Sequence, residues 1–173
     1  MPHTQNIILV GPMGSGKTTI GRQLAKQLNM AFFDSDHEIE AKTGANIPLI
    51  FELEGEKGFR KRETTMLDEL TQKNSVVLAT GGGAVLAAEN RKMLRQRGIV
   101  IYLSATTEQL WERTRLDKNR PLLQTGNPRE KIDALLEQRD PLYKEIADIV
   151  IDTGTGNIKT TIKQIVAQLN NIK

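Results

Sequence analysis

Cysteine is absent from the 173 residues. That excludes a disulfide framework, a zinc–thiolate site and a thiol nucleophile. Charge of one sign is also lacking: 24 Lys and Arg stand against 21 Asp and Glu, a formal net charge of +3. Aromatic residues are only 4%, so no basic stripe interleaves with stacking rings, and no nucleic-acid partner is expected. The densest basic runs, "FRKRE" and "RKMLRQR", fall in helical stretches and read as solvated helix faces. Apolar runs stay far below the roughly 18 residues of a membrane span, which predicts no membrane partner. The start, "MPHTQNIILV", enters a strand almost at once, without the basic region, long apolar stretch and small-residue cleavage site of a signal peptide. A cytoplasmic monomer is the expectation.

What the chain does have is alternation. Hydrophobic residues make up 38% and charged ones 26%, as in a globular protein, and the length suits a single domain over 1–173. "NIILV" (6–10), "MAFFDSD" (30–36), "SVVLATGGG" (75–83), "GIVIYL" (98–103) and "ADIVIDT" (147–153) read as five strands. Between them lie helical patterns, with Ile20, Leu24 and Leu28 on one face of the first, Met66, Leu67 and Leu70 together, and Ile162, Ile165, Val166 and Leu169 in the last. Strands separated by helices predict an α/β fold: a five-stranded parallel sheet with helices on both faces. Two stretches break the rhythm. Glu38–Gly58 reads as an inserted helical region, its short helices broken at Gly44 and Pro48. Arg115–Glu130 is polar and basic with two prolines, which suits either a lid over a phosphate site or an ordinary surface loop.

"LVGPMGSGKTTIG" (9–21) follows the first strand. Gly11 to Thr18 fits G-x-x-x-x-G-K-[ST], a loop whose backbone N–H groups wrap a phosphate chain at a helix N-terminus. Lys17 adds a mobile positive charge near the β- and γ-phosphates, and Thr18 offers a hydroxyl to Mg²⁺. The loop predicts a bound nucleoside triphosphate.

In parallel sheets of this kind ligands bind beyond the carboxyl ends of the strands, and the notable residues fall there. Strand two ends in Asp34 and Asp36, strand three in Gly81, Gly82 and Gly83. A kinase needs one carboxylate on the metal side and one to orient or deprotonate the acceptor hydroxyl. Asp36 also suits the role of cap for the helix behind it. The third strand ends without the Asp that many nucleotide hydrolases use for their metal, so Asp34 becomes the candidate. Three glycines let backbone come close to a small ligand. Arg60 and Arg139, far apart in sequence, either fix an acidic substrate with their forked guanidinium groups or are ordinary surface arginines.

The set "GPMGSGKTTIGRQLA", "FFDSDHEIE", "IFELEGEKGFRKRE", "VLATGGGAV", "NRPLL" and "QRDPLYKEIAD", in order and with matching gaps, resembles the shikimate kinases over essentially the whole chain. The resemblance implies a P-loop NTPase fold similar to that of the nucleoside monophosphate kinases, with a helical substrate-binding region (about 34–61) and a lid (about 115–127). It implies ATP-dependent phosphorylation of the 3-hydroxyl of shikimate, with ATP and Mg²⁺ required. Gly14, Ser15, Gly16, Lys17, Thr18 and Thr19 would serve ATP, Thr18 and Asp34 the metal. Asp36, Arg60, Gly81, Gly82, Gly83 and Arg139 would hold shikimate, the two arginines its carboxylate and Asp36 its hydroxyls. Asp34 would lie between metal and acceptor as a possible base, Arg120 would reach the phosphates from the lid, and Arg113 would flank the adenine. The sequence departs from the family pattern at Pro48, where a helix commonly continues, and at "DTGTGN", where Gly156 supplies no side chain. A gluconate-type kinase on the same scaffold is the alternative. A GTP-dependent switch would need an N-K-x-D signature, which is lacking, and a nonfunctional paralogue would not need Lys17, Thr18, Asp34 and Arg120 intact.

Overall fold

Four apolar residues follow an asparagine in β1 (Asn6–Val10), and all five are buried. Successive side chains on a strand point to opposite faces, so Ile7 and Leu9 enter one layer of the core and Ile8 and Val10 the other. A strand apolar on both sides belongs in the middle of a parallel sheet covered by helices on both faces. The computed structural model, which describes residues 5–115, 126–154 and 157–172, places it there. β2 (Ala31–Asp34), β3 (Val76–Ala79), β4 (Gly98–Ser104) and β5 (Ile149–Asp152) complete a sheet of order β2-β3-β1-β4-β5. Every pairing is parallel. All five carboxyl ends therefore lie on one edge.

Helices α1 (Lys17–Leu28) and α7 (Ile158–Asn171) cover one face, where Ile20, Leu24, Ile162, Ile165 and Leu169 meet Ile7 and Leu9. The other face lies under α3 (Ile47–Thr71), α4 (Ala88–Arg97) and α6 (Pro128–Ile146), through Met66, Leu67, Leu70, Leu94 and Tyr143. Two shorter helices, α2 (Ser35–Thr43) and α5 (Thr107–Thr114), pack on α3 and α6 respectively.

Three strands are shorter than their sequence patterns. The segment 30–36 narrows to Ala31–Asp34 because the Asp34 carboxylate accepts from the N–H groups of Asp36 (3.0 Å) and His37 (3.2 Å) and so starts α2 at once. The strand within 75–83 ends at Ala79, and that within 147–153 shrinks to Ile149–Asp152. In the inserted region Gly44 does end α2, with φ 72°. Pro48 breaks nothing: it stands in the first turn of α3, where its missing N–H would have had no helical partner. The break lies at Gly55 (φ 74°, ψ 177°) inside α3, and Arg62 reaches back across it to both oxygens of Glu54, at 2.7 and 2.8 Å. The basic runs are not merely solvated. Arg91 donates to the carbonyls of Val85 (2.7 Å) and Leu86 (3.1 Å), and Arg97 to the Asp68 carboxylate (2.7 Å).

Asn6 ties the start of β1 to the turn between α3 and β3. Its amide donates to the carbonyls of Thr71 (3.2 Å) and Lys73 (2.8 Å), and its oxygen accepts from Val76 N–H (3.1 Å). Asn6→Ala strands these buried groups and is expected to cost about 2 kcal/mol, lowering Tm by roughly 5 °C in a thermal melt. An unchanged Tm would show that the turn holds without it.

Candidate active site

The phosphate loop joins β1 to α1. Gly14 (φ 87°) and Gly16 (φ 96°) adopt left-handed backbone that side chains disfavour. The first turn of α1 has no side-chain cap and no acidic residue, which leaves its N–H groups open to an anion. Lys17 is folded back, its ammonium donating to the carbonyls of Gly11 (2.7 Å) and Pro12 (2.8 Å). Thr18 donates its hydroxyl to Asp34 Oδ2 at 2.6 Å. A cleft of about 740 Å³ extends from Gly14, Ser15, Gly16 and Thr19 to Arg113 and Asn157. Arg113 is anchored beside the loop by donating to the carbonyls of Gly14 and Thr153, each at 3.0 Å.

A second cavity, of about 580 Å³, opens between the loop and the ends of β2 and β3. Lys17, Thr18, Asp34, Asp36, Gly81 and Gly82 are among its walls. The glycines there are needed for space: none of Gly81, Gly82 and Gly83 has a left-handed φ. A Cβ on Gly81 would stand 2.9 Å from both Asp36 Oδ1 and Glu63 Oε2, and one on Gly83 would run into the Arg60 guanidinium. On Gly82 it would lie 3.3 Å from Met13 N and 3.6 Å from Arg139 Nη1. Charged side chains from α2, α3 and α6 thus press against one bare stretch of backbone.

Glu63 is the member the sequence reading missed. It is 0% exposed, pairs with Arg60 Nη1 at 2.9 Å, and its Oε2 has no hydrogen-bond partner among the described residues. The signal was present in "GFRKRE": a carboxylate three residues after an arginine shares its helix face. Arg139 is equally buried, at 4% exposure, and its Nε has no partner among the described residues. Burial holds the Arg139 guanidinium below the ordinary arginine value, and the nearby charge of Arg60 pushes the same way. Neither arginine is an ordinary surface residue.

The structure therefore brings Lys17, Thr18, Asp34, Asp36, Gly81 and Gly82 around one cavity, with Arg60, Glu63, Gly83 and Arg139 packed behind its wall. The roles of Asp34 and Asp36 differ from the expectation in one respect: Asp34, and not Asp36, caps α2. Arg120, most of the lid segment and Gly156 lie outside the described residues. Among the described residues no group of three His, Cys, Asp or Glu gathers to hold a metal. Thr18 and Asp34 are nonetheless adjacent hard-oxygen donors of the kind Mg²⁺ takes when phosphates and water complete its shell. Among the described residues no helix is long and apolar enough to cross a membrane.

A family model described as shikimate kinase matches residues 13–170. A shikimate kinase from Burkholderia thailandensis is 60% identical over 168 residues, covering 97% of this chain and 91% of that protein. The solved structure of a shikimate kinase from Acinetobacter baumannii in complex with shikimate matches with a TM-score of 0.97 at 55% identity, covering 99% of this chain and 96% of that one. A gluconokinase from Sinorhizobium meliloti reaches a TM-score of 0.65 at 16% identity, covering 99% and 95%. That is a likeness of fold alone.

The Glu63 carboxyl is pushed up from 4.5 to about 7; burial is the main cause, Arg60 opposes it and Asp36 adds to it. The folded chain then holds this proton more tightly than the unfolded one. The stability it contributes is full below the unfolded value and is lost as pH rises through about 7. Glu63→Gln copies the protonated form. The melting temperature of the unmodified protein is expected to fall relative to that of Glu63→Gln between roughly pH 5 and pH 8. Parallel Tm curves over that range would show that Glu63 is already charged at low pH.

Proposed function

The chain belongs to the shikimate kinase family, and on that premise we propose how its residues divide the work of the reaction. The enzyme phosphorylates the 3-hydroxyl of shikimate with ATP, giving shikimate 3-phosphate and ADP, a step toward the aromatic amino acids. The observation that carries the division is a single cavity lined by Lys17 and Thr18 of the phosphate loop and α1 together with Asp34, Asp36, Gly81 and Gly82 from the ends of β2 and β3. Phosphoryl transfer asks a protein mainly to align donor and acceptor and to balance charge, and a cavity shared by both sets of residues suits that.

On this reading Gly14 to Thr19 cradle the ATP phosphates, and Lys17 leaves its two carbonyls for them. Arg113 stands where the cleft continues toward the base. Thr18 and Asp34 would hold Mg²⁺, which supplies positive charge to the phosphates. Asp36 takes shikimate hydroxyls, the Gly81–Gly83 stretch lets the acceptor approach its backbone, and Arg60 with Arg139 takes the carboxylate. Asp34 already accepts from Thr18, Asp36 N–H and His37 N–H, which favours positioning the acceptor over removing its proton. Arg120 is assigned to the phosphates from its sequence match alone. The proposal keeps one domain over 1–173, with a substrate region at about 34–61 and a lid at about 115–127, in a cytoplasmic monomer.

A coupled ADP-release assay with shikimate, gluconate and nucleoside monophosphates side by side tests the acceptor. Only shikimate is expected to turn over well. Arg60→Lys and Arg139→Lys lose the fork, and each is expected to lower kcat/KM by roughly 30- to 1,000-fold. Shikimate methyl ester should be a poor substrate; equal rates for ester and acid would remove the carboxylate clamp.

The two aspartates should separate kinetically. Asp36→Asn is expected to raise the KM for shikimate and leave that for ATP unchanged, whereas Asp34→Asn lowers kcat by roughly 10²-fold through misplacement of the reacting groups. The assignment fails if steady-state kinetics show the reverse pattern.

A further inference from the structure

Every carbonyl from Gly81 to Leu86 accepts a hydrogen bond. Gly81 and Gly83 accept from the N–H groups of Ala84 (3.0 Å) and Leu86 (3.1 Å) within the loop itself. Ala84 accepts from the Asn90 amide at 3.0 Å, and Val85 and Leu86 from Arg91. The Gly82 carbonyl alone is held by a phenol: Tyr143 donates to it at 2.6 Å. The donors of the same loop are used unevenly. Gly81 N–H donates to Ser35 Oγ at 3.2 Å, but Gly82 and Gly83 N–H have no acceptor among the described residues.

A trans peptide points its C=O and N–H in opposite directions. Fixing the Gly82 carbonyl on Tyr143 therefore turns the Gly83 N–H away from α6. With its neighbours also tied, the loop has little freedom to turn that peptide over. Tyr143 is itself enclosed. It is 0% exposed, and its ring lies 4.9 Å from that of Tyr102, which donates its own hydroxyl to Asp140 at 2.6 Å. Arg139 stands one helical turn earlier on α6, with Nη1 close to Gly82. One helix therefore sets both the arginine and the backbone donors.

We infer that Tyr143 is a positioning residue for the acceptor: its phenol anchors the Gly82 carbonyl while Ala84 N–H anchors that of Gly81, so that Gly82, at the cavity wall, is fixed through both of its peptides with its N–H held ready for an acceptor oxygen. This rests on the proposed placement of shikimate against Gly81–Gly83. Losing the phenol strands a buried carbonyl, frees the peptide to reorient and removes the contact of the hydroxyl with the Arg139 guanidinium, so groups organised before binding must be organised during it.

The test is Tyr143→Phe, which removes one oxygen and keeps the ring packing. The KM for shikimate is expected to rise roughly 10-fold, with the KM for ATP within about twofold of the original. Tyr102→Phe is the control, because it removes a phenol from the same ring pair without touching the glycine loop; it should lower Tm and leave both KM values alone. A normal shikimate KM in Tyr143→Phe, or an equal rise in Tyr102→Phe, overturns the inference. Should Tyr143→Phe not fold, amide exchange in the unaltered protein decides instead. Shikimate is expected to slow exchange at Gly82 by at least about 10-fold, and an unchanged rate overturns the assignment. If the unaltered enzyme shows no shikimate-dependent ADP release, the functional reading itself has failed. If it is active and Tyr143→Phe is normal, only the role of Tyr143 falls.

Discussion

The carboxylate of Asp34 has two oxygens, and the structure uses both. One caps α2 through the N–H groups of Asp36 and His37; the other accepts the hydroxyl of Thr18 in the first turn of α1. The start of α1 and the start of α2 are thereby joined at a single side chain. Were Asp34 to turn away, α2 would lose its cap and Asp36 its orientation, while Thr18 would lose its partner beside the phosphates. The parallel sheet makes this junction possible. Strand β2 must end on the same edge as β1, so its last side chain reaches the loop that leaves β1.

Around that junction the chain tolerates an unusual density of buried charge because three glycines make room for it. Asp36, Glu63, Arg60 and Arg139 crowd the Gly81–Gly83 backbone, and a side chain at Gly81 or Gly83 would have to displace a charged group. Burial raises the Glu63 carboxyl and holds Arg139 down. A buried guanidinium such as that of Arg139 is costly unless a partner pairs with it. The exposed pairing of Arg60 with Glu56 at 3.4 Å is screened by solvent and alters this little.

Much of the fold was legible from short-range pattern. The β1 segment matched residue for residue. The helical faces formed by Met66, Leu67 and Leu70 and by Ile162, Ile165 and Leu169 are buried as their spacing predicts. Pattern misjudged the strand ends, because a strand stops where a side chain offers the next N–H groups a better partner, as Asp34 does. It also set the helix break at Pro48 instead of Gly55. Proline breaks a helix only where an N–H is needed, and the first turn needs none.

The sequence by itself determined the parallel α/β class, the phosphate loop with Lys17 and Thr18, the exclusion of thiol chemistry, and the position of the acidic and glycine-rich strand ends. Each of these depends on residues that are neighbours along the chain. Tertiary structure alone decided that Arg60 and Arg139 converge, that Glu63 is buried between Arg60 and Gly81, and that Tyr143 holds the Gly82 carbonyl. Those contacts join α3 and α6 to the end of β3, elements distant in sequence. Their meeting is set by how apolar helix faces pack on the sheet, an interaction that is non-directional and leaves no local spacing to read.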